Sequence, residues 1–152
     1  MHIVLVEPEI PANTGNIART CAVTGSSLHL VRPLGFSTDD RYLKRAGLDY
    51  WHLLDLHYHD SIEELLSAYA GAKFLFVTTR GKKFYSQFSY GPDDFLVFGR
   101  ETRGLPVTLL ERYPEWCARI PMINDARSLN LGNSVALVLY EALRQQGYPE
   151  LG

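Results

Sequence analysis

Phe95-Leu96-Val97-Phe98-Gly99-Arg100-Glu101-Thr102-Arg103-Gly104-Leu105-Pro106 is an apolar run of strand length that breaks off into a charged loop bracketed by two glycines. Open α/β sheets bind their ligands just beyond the carboxyl ends of the strands, where such a loop stands. Gly99 and Gly104 have the spacing of a phosphate-binding P-loop. Leu105-Pro106 occupy the places of its lysine and hydroxyl residue, however, so nucleoside triphosphate chemistry is not indicated. No G-x-G-x-x-G follows the first apolar run either, which disfavours a classical dinucleotide fold.

The same strand-then-polar-loop pattern opens the chain. Ile3-Val4-Leu5-Val6 leads into Glu7-Pro8-Glu9-Ile10-Pro11-Ala12-Asn13-Thr14-Gly15-Asn16-Ile17-Ala18-Arg19-Thr20. The prolines forbid helix before Asn13, Asn13 or Thr14 can cap it, and Gly25 ends it. Arg19 is thus expected in the first turns, close to the loop. Helix starts favour acidic residues, so an arginine there points to a phosphate or carboxylate partner; a solvated surface arginine is the plain alternative. Near the other end, Ser128-Leu129-Asn130-Leu131-Gly132-Asn133-Ser134 runs directly into Val135-Ala136-Leu137-Val138-Leu139-Tyr140-Glu141. Two amides and two hydroxyls around a glycine offer hydrogen bonds to a small polar ligand at a helix start, or serve as an ordinary cap.

Between these segments, apolar runs recur at residues 3–6, 28–31, 53–56, 74–78, 95–98 and 118–120, with helical patterns between most of them. Ser61-Ile62-Glu63-Glu64 reads as a capping box opening a helix over 64–70, and 107–112 reads as a short helix stopped before Pro114. Leu131, Val135, Val138, Leu139, Ala142 and Leu143 recur at helical spacing until Gly147 and Pro149. The class is therefore α/β with a mostly parallel sheet. At 152 residues one domain is expected, with no appended RNA-binding domain. The Met-His-Ile start lacks the pattern of a secretory leader, and no run reaches membrane-spanning length, so a cytoplasmic protein is expected. Cys21 and Cys117 have no metal-ligand spacing and read as reduced structural thiols; His57-Tyr58-His59 lacks partners at metal spacing and reads as structural or solvent-facing.

The three loop segments together closely resemble, in order, the signature segments of the SPOUT class of RNA methyltransferases. Within that class they are most similar to the small tRNA ribose 2′-O-methyltransferases that act on the wobble nucleotide. Arg41-Tyr42-Leu43-Lys44-Arg45-Ala46-Gly47-Leu48-Asp49-Tyr50-Trp51 resembles a further stretch typical of that subgroup, so the likeness spans nearly the whole chain. Two departures stand out: Arg100 replaces a residue that is often proline, and Gly132 stands where serine is usual.

The resemblance implies helices on both faces of the sheet and a C-terminal deep trefoil knot. It also implies S-adenosyl-L-methionine as methyl donor, S-adenosyl-L-homocysteine as product, no metal, and a homodimer. The implied substrate is cytidine or uridine 34 in the tRNA anticodon stem-loop, with tRNA-Leu isoacceptors expected. By the same likeness Val77, Thr78, Gly99, Glu101, Gly104, Ile120, Met122, Ser128, Leu129 and Leu131 hold the cofactor, largely through backbone groups. Arg19 contacts the RNA and assists the 2′-hydroxyl. Asn16 and Asn130 are expected to orient Arg19 and the ribose, Glu101 to anchor a cationic group beside the cofactor, and Tyr140 to act at the dimer interface or the reacting hydroxyl. Tyr50 and Trp51 stack on an anticodon base or sit in the core. The net charge of −2 requires RNA binding to rest on local patches, with Arg41, Lys44 and Arg45 in one and Arg80, Lys82 and Lys83 in another. A non-catalytic RNA-binding module would use those cations without the cofactor loops; an unrelated α/β enzyme would bind a nucleotide and ignore RNA.

Overall fold

The computed structural model describes every residue except 40, 42, 44, 46 and 47, so Lys44 of the first cationic patch lies outside the described residues. Strands β1 (His2–Val6), β2 (Ser27–Val31), β3 (Asp55–His59), β4 (Phe74–Val77), β5 (Lys83–Phe84), β6 (Phe95–Phe98) and β7 (Cys117–Arg119) form one sheet. Their order is β3-β2-β1-β6-β4-β7-β5, and every pairing is parallel. Against it pack α1 (Pro11–Thr24), α2 (Ile62–Ala68), α3 (Val107–Arg112) and α4 (Leu131–Gln145).

Alternation along the strands explains the three layers. Ile3, Leu5, Leu28, Leu30, Leu75, Leu96 and Phe98 join Ile17, Cys21, Val135, Val138 and Leu139 in the core under α1 and α4. Val4, Val6, Val31, Phe76, Phe95 and Val97 meet Leu65, Leu109 and Leu110 under α2 and α3. A sheet covered on both faces needs apolar side chains at successive positions, hence the uninterrupted runs in the sequence. Both cysteines are free and buried, and burial pushes the Cys21 thiol up to about 12, which keeps it protonated and inert.

Several boundaries differ from the sequence reading. Helix α1 begins at Pro11, not at Asn13 or Thr14, because proline at the first helical position gives up an amide that has no intrahelical partner there. Arg19 consequently lies in the middle of α1 and is exposed. Helix α2 starts at Ile62, directly after Ser61, whose Oγ accepts the Glu64 amide at 3.0 Å, and it ends at Ala68, two residues before the expected stop. The Glu64 carboxylate turns back to the Asp60 amide at 3.1 Å, not to that of Ser61. The strand expected at 53–56 is shifted to Asp55–His59, since Leu48–Leu53 forms a 3₁₀ turn. Strand β5 has only two residues and no apolar run to reveal it.

Strand β7 lies between β4 and β5, although those two are consecutive in the chain. The turn that joins them crosses the backbone of β7 at Gly81, where a Cβ would stand 2.7 Å from the carbonyl carbon of Ala118. Only a residue without a side chain permits this crossing.

On the α2 face, three imidazoles form a hydrogen-bonded line across β1, β2 and β3. His29 Nε2 meets His2 Nδ1 at 3.0 Å, and His29 Nδ1 meets His59 Nε2 at 3.0 Å. His29 is fully buried, and burial, followed by the neighbouring His57, His2 and His59, pushes its pKa down to about 3. Asp55 beside His57, Glu64 beside His59 and Asp93 near His2 are carboxylates that act on this line. Because the unfolded histidine takes up a proton near pH 6.5 and the folded one does not until about 3, the contribution is complete above 6.5 and is lost as pH falls. Urea unfolding at pH 7.5 and pH 5 is expected to show about 2 kcal/mol of stability lost through His29. His29→Leu should remove that share of the difference; an unchanged acid slope in the variant would refute the assignment.

Candidate active site

Strands β4, β6 and β7 end at the same edge of the sheet, and the loops that follow them enclose a cleft of about 590 Å³. All ten residues expected around the cofactor line it: Val77, Thr78, Gly99, Glu101, Gly104, Ile120, Met122, Ser128, Leu129 and Leu131. Convergence follows from parallel pairing, because Val77 is in register with Phe98 on one side and with Ala118 on the other. Whatever follows these strands must therefore meet at one place.

The loop after β6 is folded tightly on itself. Gly104 donates its amide to the Arg100 carbonyl at 2.8 Å, and the backbone returns so close that a Cβ at Gly99 would lie 2.1 Å from the Gly104 carbonyl carbon. The loop is also latched to the segment preceding α1. The Glu101 carboxylate accepts the amides of Glu9 at 2.8 Å and Ile10 at 3.0 Å and the Asn13 side-chain amide at 3.3 Å. Glu9 in turn accepts the Thr102 hydroxyl at 2.7 Å and the Thr102 amide at 3.3 Å, bonds that hold its carboxyl below the usual carboxylate range. Arg100 forms an ion pair with Glu7. Glu101 thus secures the backbone ahead of α1, and among the described residues no cationic side chain forms an ion pair with it.

Asn130 joins the third segment to this network. Its Oδ1 caps α4 by accepting the Asn133 amide at 3.1 Å, while its Nδ2 donates to Asn13 Oδ1 at 3.1 Å. Both ends of the side chain are occupied at the cleft, so Asn130 positions α4 and Asn13 and makes no hydrogen bond with Arg19. Of the four catalytic candidates, Asn130 lines the cleft and Arg19, Asn16 and Tyr140 do not. Arg19 instead donates from Nη2 to the Tyr50 hydroxyl at 3.2 Å and lies 4.5 Å from that ring's centroid. Tyr140 is 43% exposed on α4. Trp51 packs against the core beneath α1 and α4.

Sequence reasoning missed the bridging role of Asn13 and the place of Arg127 at the cleft. Asn13 ties Glu101 to Asn130, and it was legible only as a possible cap, since its partners lie 88 and 117 residues away. Arg80 and Arg127 line the cleft and form no ion pair among the described residues. Arg127 directly precedes Ser128, so its adjacency was the available signal. The second cationic patch is split, with Arg80 at the cleft and Lys83 on β5. Among the described residues no group of three or more His, Cys, Asp or Glu side chains is arranged to hold a metal ion, and no helix is long and apolar enough to cross a membrane.

Comparison with known sequences matches residues 1–140 to the family described as SpoU rRNA Methylase. The chain belongs to the SpoU methylase family. A protein of Bacillus subtilis (strain 168) named as a tRNA (cytidine(34)-2′-O)-methyltransferase is 57% identical over 99% of this chain and 96% of its own. The tRNA (cytidine(34)-2′-O)-methyltransferase of Escherichia coli (strain K12) is 49% identical over 98% of this chain and 96% of its own. A solved structure concerned with 2-OH methylation of C/U34 on tRNA superposes with a TM-score of 0.92 at 47% identity, covering 96% of this chain and 95% of that one. The SpoU methyltransferase AviRb from Streptomyces viridochromogenes, in complex with AdoMet, shares the fold at a TM-score of 0.84 and 23% identity, covering 96% of this chain and 60% of that one.

Proposed function

We propose that this protein transfers the methyl group of S-adenosyl-L-methionine to the ribose 2′-hydroxyl of cytidine or uridine 34 in tRNA, with tRNA-Leu isoacceptors as substrates. The observation that carries this reading is the convergence of ten cofactor candidates on one cleft, in a chain that matches a tRNA (cytidine(34)-2′-O)-methyltransferase over 98% of its length. The residues present fit the cofactor. The cleft of about 590 Å³ is of the size that holds a small organic ligand, and its walls combine Val77, Ile120 and Leu131 with exposed loop backbone. When bound, S-adenosyl-L-methionine would supply a sulfonium-activated methyl group for displacement by the ribose 2′-oxygen, the new C–O bond replacing the C–S bond, with S-adenosyl-L-homocysteine as leaving group and the hydroxyl proton passing to solvent.

Gly99, Gly104, Ile120, Ser128 and Leu129 bind and orient the donor, chiefly through backbone, and the Glu101–Asn13–Asn130 network keeps their loops in place. Such positioning supplies a large part of the rate in a displacement of this kind. A guanidinium is a poor base, so Arg19 fixes an RNA phosphate and lowers the cost of negative charge developing on the 2′-oxygen and does not take the proton. Arg80 and Arg127 at the cleft give RNA a cationic approach despite the net charge of −2.

The protein acts as a homodimer in the cytoplasm. Val23 on α1 and Leu137 and Tyr140 on α4 leave apolar surface exposed, which supports pairing across these helices, and Arg19 and Asn16 stand on the same α1. The chain is also knotted, a reading supported by the insertion of β7 between β4 and β5 and by the crossing at Gly81.

Incubation with methyl-labelled S-adenosylmethionine and bulk tRNA lacking wobble ribose methylation tests the reaction, with the product nucleotide mapped by mass spectrometry. A 2′-O-methyl at position 34 is expected. The family's description as an rRNA methylase favours a second reading, methylation of another ribose in tRNA or rRNA. A label mapped elsewhere would establish that reading, and cofactor binding without transfer to any RNA would overturn both.

A further inference from the structure

Resting on the reading of Arg19 as the RNA-facing cation, we infer that Tyr50 is a positioning residue that holds Arg19 in its working orientation without cancelling its charge. Two contacts define the pair: the Arg19 Nη2 donates to the phenol oxygen at 3.2 Å, and its guanidinium carbon lies 4.5 Å from the ring centroid. One bond and one ring face together restrict both the place and the plane of the guanidinium.

The ring is itself held by its neighbours. Tyr50 belongs to the 3₁₀ turn Leu48–Leu53, in which the Leu54 amide returns to the Trp51 carbonyl at 3.1 Å. Trp51, the next residue, is seated against the apolar core that α1 shares with α4. Core packing of the tryptophan therefore presents the tyrosine to α1.

Four other arginines are fixed by carboxylates, Arg32 by Asp60, Arg100 by Glu7, Arg112 by Glu63 and Arg144 by Glu141, whereas Arg80 and Arg127 at the cleft, like Arg19, form no ion pair among the described residues. Arg19 makes no ion pair among the described residues. The chemical difference matters. A carboxylate orders a guanidinium but neutralises it, whereas a phenol and its ring face order it and leave the positive charge and the remaining N–H donors available to an anion. An exposed arginine without such support samples many rotamers, and ordering them would weaken every phosphate contact it makes. Tyr50 removes that cost before RNA arrives.

The test compares Tyr50→Leu, which loses ring and hydroxyl, with Tyr50→Phe, which keeps the ring. Steady-state methyl transfer to tRNA, S-adenosylmethionine affinity, melting temperature and the ¹H–¹⁵N spectrum of the arginine Nε–H groups are measured on each. Tyr50→Leu should lower kcat about tenfold with cofactor affinity and melting temperature unchanged, and Tyr50→Phe should recover most of the loss. The Arg19 Nε–H resonance, identified by its absence in Arg19→Lys, should move when the ring current is removed. In an Arg19→Ala background Tyr50→Leu should cost nothing further. An Arg19 resonance unmoved by Tyr50→Leu, or an equal loss of kcat in the Arg19→Ala background, would overturn the proposal. Should the unaltered enzyme transfer no methyl to tRNA, the functional reading fails, while the resonance still decides whether Tyr50 holds Arg19.

Discussion

Gly99→Ala is expected to abolish S-adenosylmethionine binding and to destabilise the protein by about 3–5 kcal/mol. The new methyl carbon would stand 2.1 Å from the carbonyl carbon of Gly104 and 2.2 Å from the amide nitrogen of Leu105, both backbone atoms. Neither has room to yield. Gly104 is tied to Arg100 by its amide, and Leu105 is 5% exposed in the core beneath α3. Relief requires opening the loop after β6, which pulls Glu101 away from the amides of Glu9 and Ile10 and from Asn13. Hydrogen bonds to a charged group are each worth about 1.5–3 kcal/mol, and their loss accounts for much of the expected cost. Calorimetric titration with S-adenosylmethionine and urea unfolding check the two halves of the prediction. Unaltered cofactor affinity would show that the loop after β6 is not part of the cofactor site.

Arg19→Ala is expected to leave cofactor affinity and stability unchanged while lowering methyl transfer to tRNA by about 10²–10³-fold, the range seen when a preorganised charge-stabilising donor is removed. The separation follows from position. Arg19 is exposed on α1, lies outside the cleft lining, and makes its side-chain contact to Tyr50. Its removal therefore leaves the cofactor loops intact and takes away only the charge offered to RNA. Arg19→Lys keeps the charge but loses the planar fork that stacks on Tyr50, so it should fall between the two. Parallel measurement of transfer rate and S-adenosylmethionine affinity decides the matter: a variant that binds the cofactor poorly would make Arg19 a structural residue.

The contrast between these two residues separates local from non-local information. Val77, Gly99 and Ile120 are named for the cofactor by the family resemblance; each stands at the end of a strand or just after it, and parallel pairing forces those ends together. Strand type and sheet class thus reside in short stretches of a few residues, where apolar periodicity, glycine and proline act through local sterics and burial. Proline at position 11 misled that reading, because its effect depends on whether it falls before or at the first helical residue.

Other features belong to the folded molecule alone. Glu101 accepting Glu9 and Ile10 amides, Asn130 reaching Asn13, Arg19 resting on Tyr50 and His29 meeting His2 and His59 join residues 27 to 117 positions apart. A side-chain carboxylate or amide is chemically free to bond any suitable partner, and sequence carries no periodic trace of which one it meets. The sequence by itself determined the parallel α/β class, since hydrophobic burial and backbone sterics act locally, while the residues bound for the cleft are named by the family resemblance of its loops. The order β3-β2-β1-β6-β4-β7-β5, and with it the partners of Glu101, Asn130 and Arg19, was decided only by tertiary packing, because directional hydrogen bonds form only after hydrophobic packing has set the register of distant strands.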